Sequence, residues 1–177
     1  GNAVLAGVKV ARANGHDFEI VVPLFSRLMA RQASEHIDGI FGSINWHWSL
    51  QDEGSQAFVR SFGTKYGFPP GQAAHTAYVQ TVLKADAVTR ARSFNPCAVS
   101  EALEDFAFDG LGNGPTFYRG ADHQCFKDVL IVKGKENPEN QFDLLEIVEV
   151  TPAAQVEYAP NHPQFAGGAL GSCNAGA

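Results

Sequence analysis

The stretch Phe18-Glu19-Ile20-Val21-Val22-Pro23-Leu24-Phe25-Ser26 decides the fold. Its short apolar run, rich in β-branched residues and stopped by Pro23, has the form of a strand buried on both faces, as in a parallel sheet. Ser26 then caps a helix reaching Ala33, with Leu28, Met29 and Ala33 on one side. Working outward, Ile37 to Ile44 repeats the strand pattern, with glycines that allow close packing. Upstream, Asn2 caps a helix carrying Val4, Leu5 and Val8 that ends at Asn14-Gly15. Helix, strand, helix, strand, helix is the alternation of an α/β layer with right-handed crossovers. The runs at 18–22 and 37–44 are therefore expected as neighbours in one parallel sheet with flanking helices.

Further along, Ala57, Phe58, Phe62 and Tyr66 form an apolar stripe on a helix that Gly67 and Pro69-Pro70 terminate. A longer helix follows, with Ala74, Ala77, Tyr78, Thr81, Val82 and Ala85 on one face, and Asn95-Pro96 starts another carrying Val99, Ala102 and Leu103. Beyond the turn cluster Gly110–Gly114, short strands are expected at Thr116–Arg119 and Val129–Val132. Leu144–Val150 completes an antiparallel hairpin with the latter. Residues 158–177 read as a loop-like tail.

A length of 177 residues with 45% apolar and 18% charged residues is ordinary for a folded protein. The net charge of −6, with no basic run, argues against nucleic acid as a partner. No apolar run is long enough to span a bilayer, and no signal segment opens the chain, which says nothing about compartment because a mature secreted protein has lost the one its precursor carried. The three cysteines Cys97, Cys125 and Cys173 have no metal-ligand spacing, and no cofactor motif occurs. Cys97, at a helix start, reads as a small buried residue. Cys125 and Cys173 either pair, if the compartment is oxidising, or stay free.

Chemistry is expected beyond the carboxyl ends of the parallel strands, where the connecting loops diverge. Leu24-Phe25-Ser26 occupies that place after the first strand. Asn45-Trp46-His47-Trp48-Ser49 occupies it after the second and holds both tryptophans of the chain. Aromatic faces beside a few polar groups suit a small-molecule pocket, so Leu24, Phe25, Ser26, Asn45, Trp46 and Trp48 are the candidate ligand contacts. A catalytic reading finds no nucleophile elbow, HExxH pair or phosphate loop. Asp122-His123-Gln124 resembles an acid/base pair, yet neighbours on an extended chain point to opposite faces, which favours a structural role. His16, His36, His75 and His162 are assigned to solvated positions, and Glu101, Glu104 and Asp105 to a solvated helix rim.

Several stretches carry a resemblance to a known family. These are Ile37-Asp38-Gly39-Ile40; Trp48 through Gly67, with Ala57-Phe58-Val59 and Lys65-Tyr66-Gly67; Ala77-Tyr78-Val79; Asn95-Pro96 to Leu103; and Arg119-Gly120-Ala121-Asp122-His123-Gln124. In this order they resemble the type I periplasmic solute-binding proteins of the branched-chain amino acid ABC transporter group, relatives that bind aromatic acids or amides included. The resemblance implies two α/β lobes closing on a solute, with a membrane permease as partner. It implies that this chain is a carboxyl-terminal portion lacking the amino-terminal half of the protein. Residues 1–74 would then belong to the second lobe and 75–120 to the first, with 121–157 returning across the hinge and 158–177 as tail. Leu24, Phe25 and Ser26 would stand at the ligand and Asp122, His123 and Gln124 near a hinge crossing. The resemblance implies a carboxylate or amino-acid-like solute; apolar Leu24 and Phe25, where relatives often present a carboxylate to the ligand ammonium, favour an aromatic or apolar carboxylic one over an amino acid. A ligand sensor of the same fold and a small α/β enzyme are the competing classes.

Overall fold

In the computed structural model, which describes residues 2–16, 18–33, 36–160 and 162–163, strands β1 (Ile20–Val22) and β2 (Ile40–Ile44) lie side by side and parallel. Ile20 is opposite Ile40. The helix between them, α2 (Arg27–Ala33), starts where Ser26 Oγ accepts from the Met29 N–H, and α1 (Asn2–Ala13) packs against it. The hairpin β6 (Val129–Gly134) and β7 (Leu145–Thr151) joins the same sheet antiparallel to β2, giving the order β1-β2-β6-β7. Both strand pairings expected from the sequence are present.

Alternation along these strands places Ile20, Val22, Ile40, Ile44, Leu130 and Val132 in one core with Val8, Phe25, Ala30, Ala33, Ile37, Leu144 and Leu145. Gly42 lets Phe25 pack directly against β2, because a Cβ there would overlap Phe25 Cβ and the Val22 carbonyl. Only this face is covered among the described residues. Val21, between two buried neighbours, is 74% exposed, and Phe41, Val148 and Val150 are exposed with it. The first strand is thus buried on one face and not on both. On α2 the buried residues are Ala30 and Ala33, while Leu28 points outward.

A second, smaller sheet has the order β3-β4-β5, from β3 (Phe106–Phe108), β4 (Thr116–Arg119) and β5 (Gln124–Phe126). Three helices accompany it. Helix α3 (Glu53–Tyr66) begins at Asp52, whose carboxylate accepts from Ser55 N–H, and ends at Gly67 in the left-handed region. Helix α4 (Gln72–Ala91) buries His75, Leu83 and Ala87 rather than the Tyr78 and Val82 side, which faces solvent. Helix α5 (Pro96–Glu101) has Pro96 in its first turn behind an Asn95 cap and packs on α4.

Candidate functional site

The loop after β2 turns its side chains in different directions. Trp46 goes inward: it is 1% exposed, its Nε1–H donates to Ser55 Oγ at 2.8 Å, and its ring stacks on His75 with centroids 4.3 Å apart. Phe58 meets both rings edge-on. Gly112, at φ +103, closes this nest, since a Cβ there would lie 2.5 Å from Ser55 Oγ and 3.1 Å from Trp46 Nε1. Trp46 is therefore a packing residue, and so is Phe25, which is fully buried in the core. Both leave the set of ligand contacts: each is enclosed by its packing partners and keeps no unpaired polar atom for a solute. His75 is likewise buried, not solvated. Its Nε2 must donate to the Leu111 carbonyl at 2.7 Å, and burial, opposed by that bond, lowers its pKa to about 4.

The two sheets are joined where this loop meets the Gly110–Gly114 turn. Asn113, at φ 60, donates through Nδ2 to the carbonyls of Asn45 (2.7 Å) and Asp128 (2.8 Å), tying the chain after β2 to the chain before β6. Its N–H approaches Asp52 Oδ2 at 3.5 Å. Burial raises the Asp52 pKa, but the bonds from Ser55 and Asn113 outweigh it and hold the carboxyl below its usual range.

The remaining candidates are distributed as follows. Leu24 stands exposed at the end of β1 with φ 57, a left-handed conformation for a bulky side chain, and Ser26 lies partly buried beside it. Asn45 and Trp48 are partly buried. Asp122 and His123 lie in the turn between β4 and β5 and Gln124 opens β5, while the crossings between the sheets lie around Asn45, Asn113 and Asp128. Asp122 clamps Arg119 through both oxygens (2.9 and 2.5 Å), which holds its carboxyl below its usual range. His123 meets Glu104 instead, at 2.9 Å, so the two residues form no acid/base pair. Cys125 carries a free thiol, which removes the Cys125–Cys173 pair; Cys173 lies outside the described residues. Cys97 is disulfide-bonded and partly buried, not a lone packing residue. A bridge there needs no sequence motif, only two β-carbons brought within reach by the fold.

One observation singles out the loops. Among the described residues, the buried side-chain polar atoms without a partner are Arg27 Nη1, Asn45 Oδ1, His47 Nε2, Trp48 Nε1 and Gln72 Oε1. All five belong to the ends of β1 and β2 or the start of α4. Arg27 and Gln72 share a seam there: Arg27 Nη2 donates to the Pro69 carbonyl at 3.0 Å, and its guanidinium lies over the Phe142 ring at 5.2 Å. His47 lies within reach of that charge. Burial, opposed by Asp143 and helped by Arg27 and Lys135, lowers its pKa to about 4. Sequence reasoning did not name Arg27 or Gln72 and quoted His47 only as part of its loop, although Arg27 directly follows Leu24-Phe25-Ser26. No cluster of three metal-ligating side chains occurs among the described residues, and no helix there is long and apolar enough to cross a membrane.

The fold has solved counterparts. An amino acid ABC transporter substrate-binding protein from Pseudomonas fluorescens superposes with a TM-score of 0.80 at 18% identity, over 96% of this chain and 45% of its own. A periplasmic binding protein from Burkholderia mallei gives 0.75 at 19% identity, covering 89% of this chain and 43% of its own. A branched-chain amino acid transporter substrate-binding protein from Streptococcus pneumoniae, in complex with isoleucine, gives 0.67 at 23%, covering 83% and 42%. The chain thus spans less than half the length of the solved proteins it matches. No curated protein matches. The family model for periplasmic binding proteins matches residues 1–139, and by that match the chain belongs to the periplasmic binding protein family.

Proposed function

We propose that the chain is part of the substrate-binding component of an ABC transporter, working in the periplasm and delivering a small solute to a membrane permease. On this reading the solute is an aromatic or apolar carboxylate or an amino-acid-like molecule, held between two lobes. The loops after β1 and β2 form one wall of the cleft, with Leu24, Ser26, Asn45 and Trp48 as contacts. The lobe division at residues 1–74, 75–120 and 121–157, and a facing wall from an amino-terminal half, belong to the same proposal. Family membership supports it, as does the position of the loops beyond the strand ends. The carrying observation is that the orphaned buried polar atoms among the described residues lie in the loop after β2 and at the first residues of α2 and α4. Such atoms cost free energy unless something pairs with them, and a binding site tolerates them for that purpose. Leu24 adds support, because an exposed leucine held at φ 57 is strained in a way packing does not require.

The test is a thermal-shift screen of the protein as encoded, against aliphatic and aromatic amino acids, the corresponding carboxylic acids and their amides. A solute that binds only the native state raises the melting temperature, by an amount that grows with its concentration. A flat response across the panel at millimolar solute would refute the reading.

A further inference from the structure

We propose that Arg27 and His47 together anchor a carboxylate of the solute, and that Gln72 selects solutes bearing a hydrogen-bond donor beside that carboxylate. The inference rests on the solute-binding reading above and names the polar subsite within it.

The donor inventory leads to this arrangement. Arginine has five N–H donors and no acceptor. Here Nη2 is engaged by the Pro69 carbonyl while Nη1 is buried without an acceptor. No carboxylate lies within ion-pair distance of Arg27 among the described residues. The nearby Asp143 is held by Lys135 at 2.6 Å. Burial, and then the like charge of Arg31, lower the pKa of Arg27, so its guanidinium is a partly buried cation without a counterion. A planar guanidinium in that state fits a carboxylate, which accepts through two oxygens.

His47 supplies the second donor. His47 Nδ1 lies 2.7 Å from Ser49 Oγ and 3.4 Å from the Ser49 N–H; in the proposed site Nδ1 accepts from both Ser49 groups and the ring proton is on Nε2. That Nε2–H is buried and unpartnered on a residue only 5% exposed. Gln72 Oε1 contributes the opposite polarity: it is a buried acceptor without a donor. It follows Gly71, whose Cβ position lies 3.7 Å from Arg27 Nη2, so the glutamine belongs to the same seam. Two donors beside one acceptor match a carboxylate next to a hydroxyl or amino group. Phosphate and sulfate fit less well, since their oxygens would face Gln72 Oε1. A plain carboxylate leaves that acceptor empty, and an amide leaves the guanidinium without an anion.

The experiment is calorimetry on the protein as encoded, with L-leucine and L-phenylalanine, their α-hydroxy acids, the unsubstituted acids, the amides, and inorganic phosphate and sulfate. Arg27→Met is expected to weaken every carboxylate the wild type binds by tenfold or more, with little change for an amide. Arg27→Lys should recover part of the loss. Gln72→Leu should weaken amino and hydroxy acids and spare the unsubstituted acids. If Arg27→Met does not fold, Arg27→Gln keeps a donor for the Pro69 carbonyl and carries the same comparison. Equal carboxylate affinity in wild type and variant overturns the inference while leaving the solute-binding reading intact. So does equal loss for carboxylate and amide, which marks a structural arginine, and so does phosphate or sulfate bound through Arg27 in place of carboxylates. A wild type that binds nothing in the panel overturns both.

Discussion

Replacing Trp46 by alanine separates a packing residue from a ligand platform. The indole is 1% exposed, stacks on His75 with an interplanar angle of 6°, and is the donor to a fully buried Ser55 hydroxyl. Truncating a buried tryptophan costs about 3–5 kcal/mol, from lost transfer free energy and the cavity left behind. The structure places this site toward the upper end. The stack contributes roughly 0.5–1.5 kcal/mol beyond burial, and Ser55 Oγ loses its donor in a place water does not reach. The expected loss is therefore about 4–5 kcal/mol, a large share of the roughly 5–15 kcal/mol that holds a domain together. Trp46→Phe keeps a ring against His75 but not the hydrogen bond, so about 1–3 kcal/mol is expected. Urea unfolding followed by far-UV circular dichroism measures both, and calorimetry measures solute affinity of the protein that remains folded. A Trp46→Ala variant within about 1 kcal/mol of wild type that has lost its solute would refute the packing assignment.

Three further outcomes are expected. Gly42→Ala should destabilise by about 1–3 kcal/mol or more, because the added methyl meets Phe25 Cβ and a backbone carbonyl that cannot yield; an unchanged urea midpoint would contradict the close approach. Acidification should destabilise the protein between pH 6.5 and about 4. His47 and His75 are lowered to about 4 in the fold, so the unfolded chain binds more protons in that window; stability is full above 6.5 and falls by up to about 3 kcal/mol per histidine as pH drops. Urea midpoints that stay level from pH 7 to 4.5 would show that these imidazoles are not held neutral by burial. Alkylation of denatured, unreduced protein followed by peptide mapping should label Cys125 and leave Cys97 unlabelled; label on Cys97 would contradict its disulfide.

The parts of the fold legible in the sequence are those specified by local patterns. The runs ending at Val22 and Ile44 became paired strands because β-branched residues between helix signals have few alternatives. Gly67 ended α3 and Asn95-Pro96 began α5 through local backbone chemistry. Strands β3 and β5 were not legible: each has three residues, and they are held by β4 lying between them rather than by any period of their own. Burial was misread where it depends on what covers an element. Val21 continues an apolar run but lies on the uncovered face, and α4 turns His75 and Leu83 inward because the Gly110–Gly114 turn and α5 lie there. Residues 46 to 48 show the limit within the candidate site. An irregular loop has no period, so nothing local distinguishes the tryptophan packed on His75 from the one whose Nε1 is left without a partner.

The two sides of the site are held by different kinds of bonds, and this bears on how it works. On the side between the sheets, Asn113 bonds two main-chain carbonyls from chain segments 68 and 15 residues away, so the relation between the sheets is fixed through the backbone. Losing that amide would orphan two carbonyls, and buried orphans of this kind cost roughly 1–3 kcal/mol each. On the seam side, the contact identified is one bond from Arg27 to a carbonyl, backed by a ring face. A single such bond contributes about 1 kcal/mol net, and the exposed carbonyl and guanidinium recover water when it breaks. The seam is thus the cheaper of the two to open, and its orphaned atoms provide a reason for it to close on a solute. A solute pairing with Arg27, His47 and Gln72 would return the hydrogen bonds that the empty seam lacks. On the proposed reading, closure would be driven by differential affinity for the closed form, with Asn113 holding the opposite side.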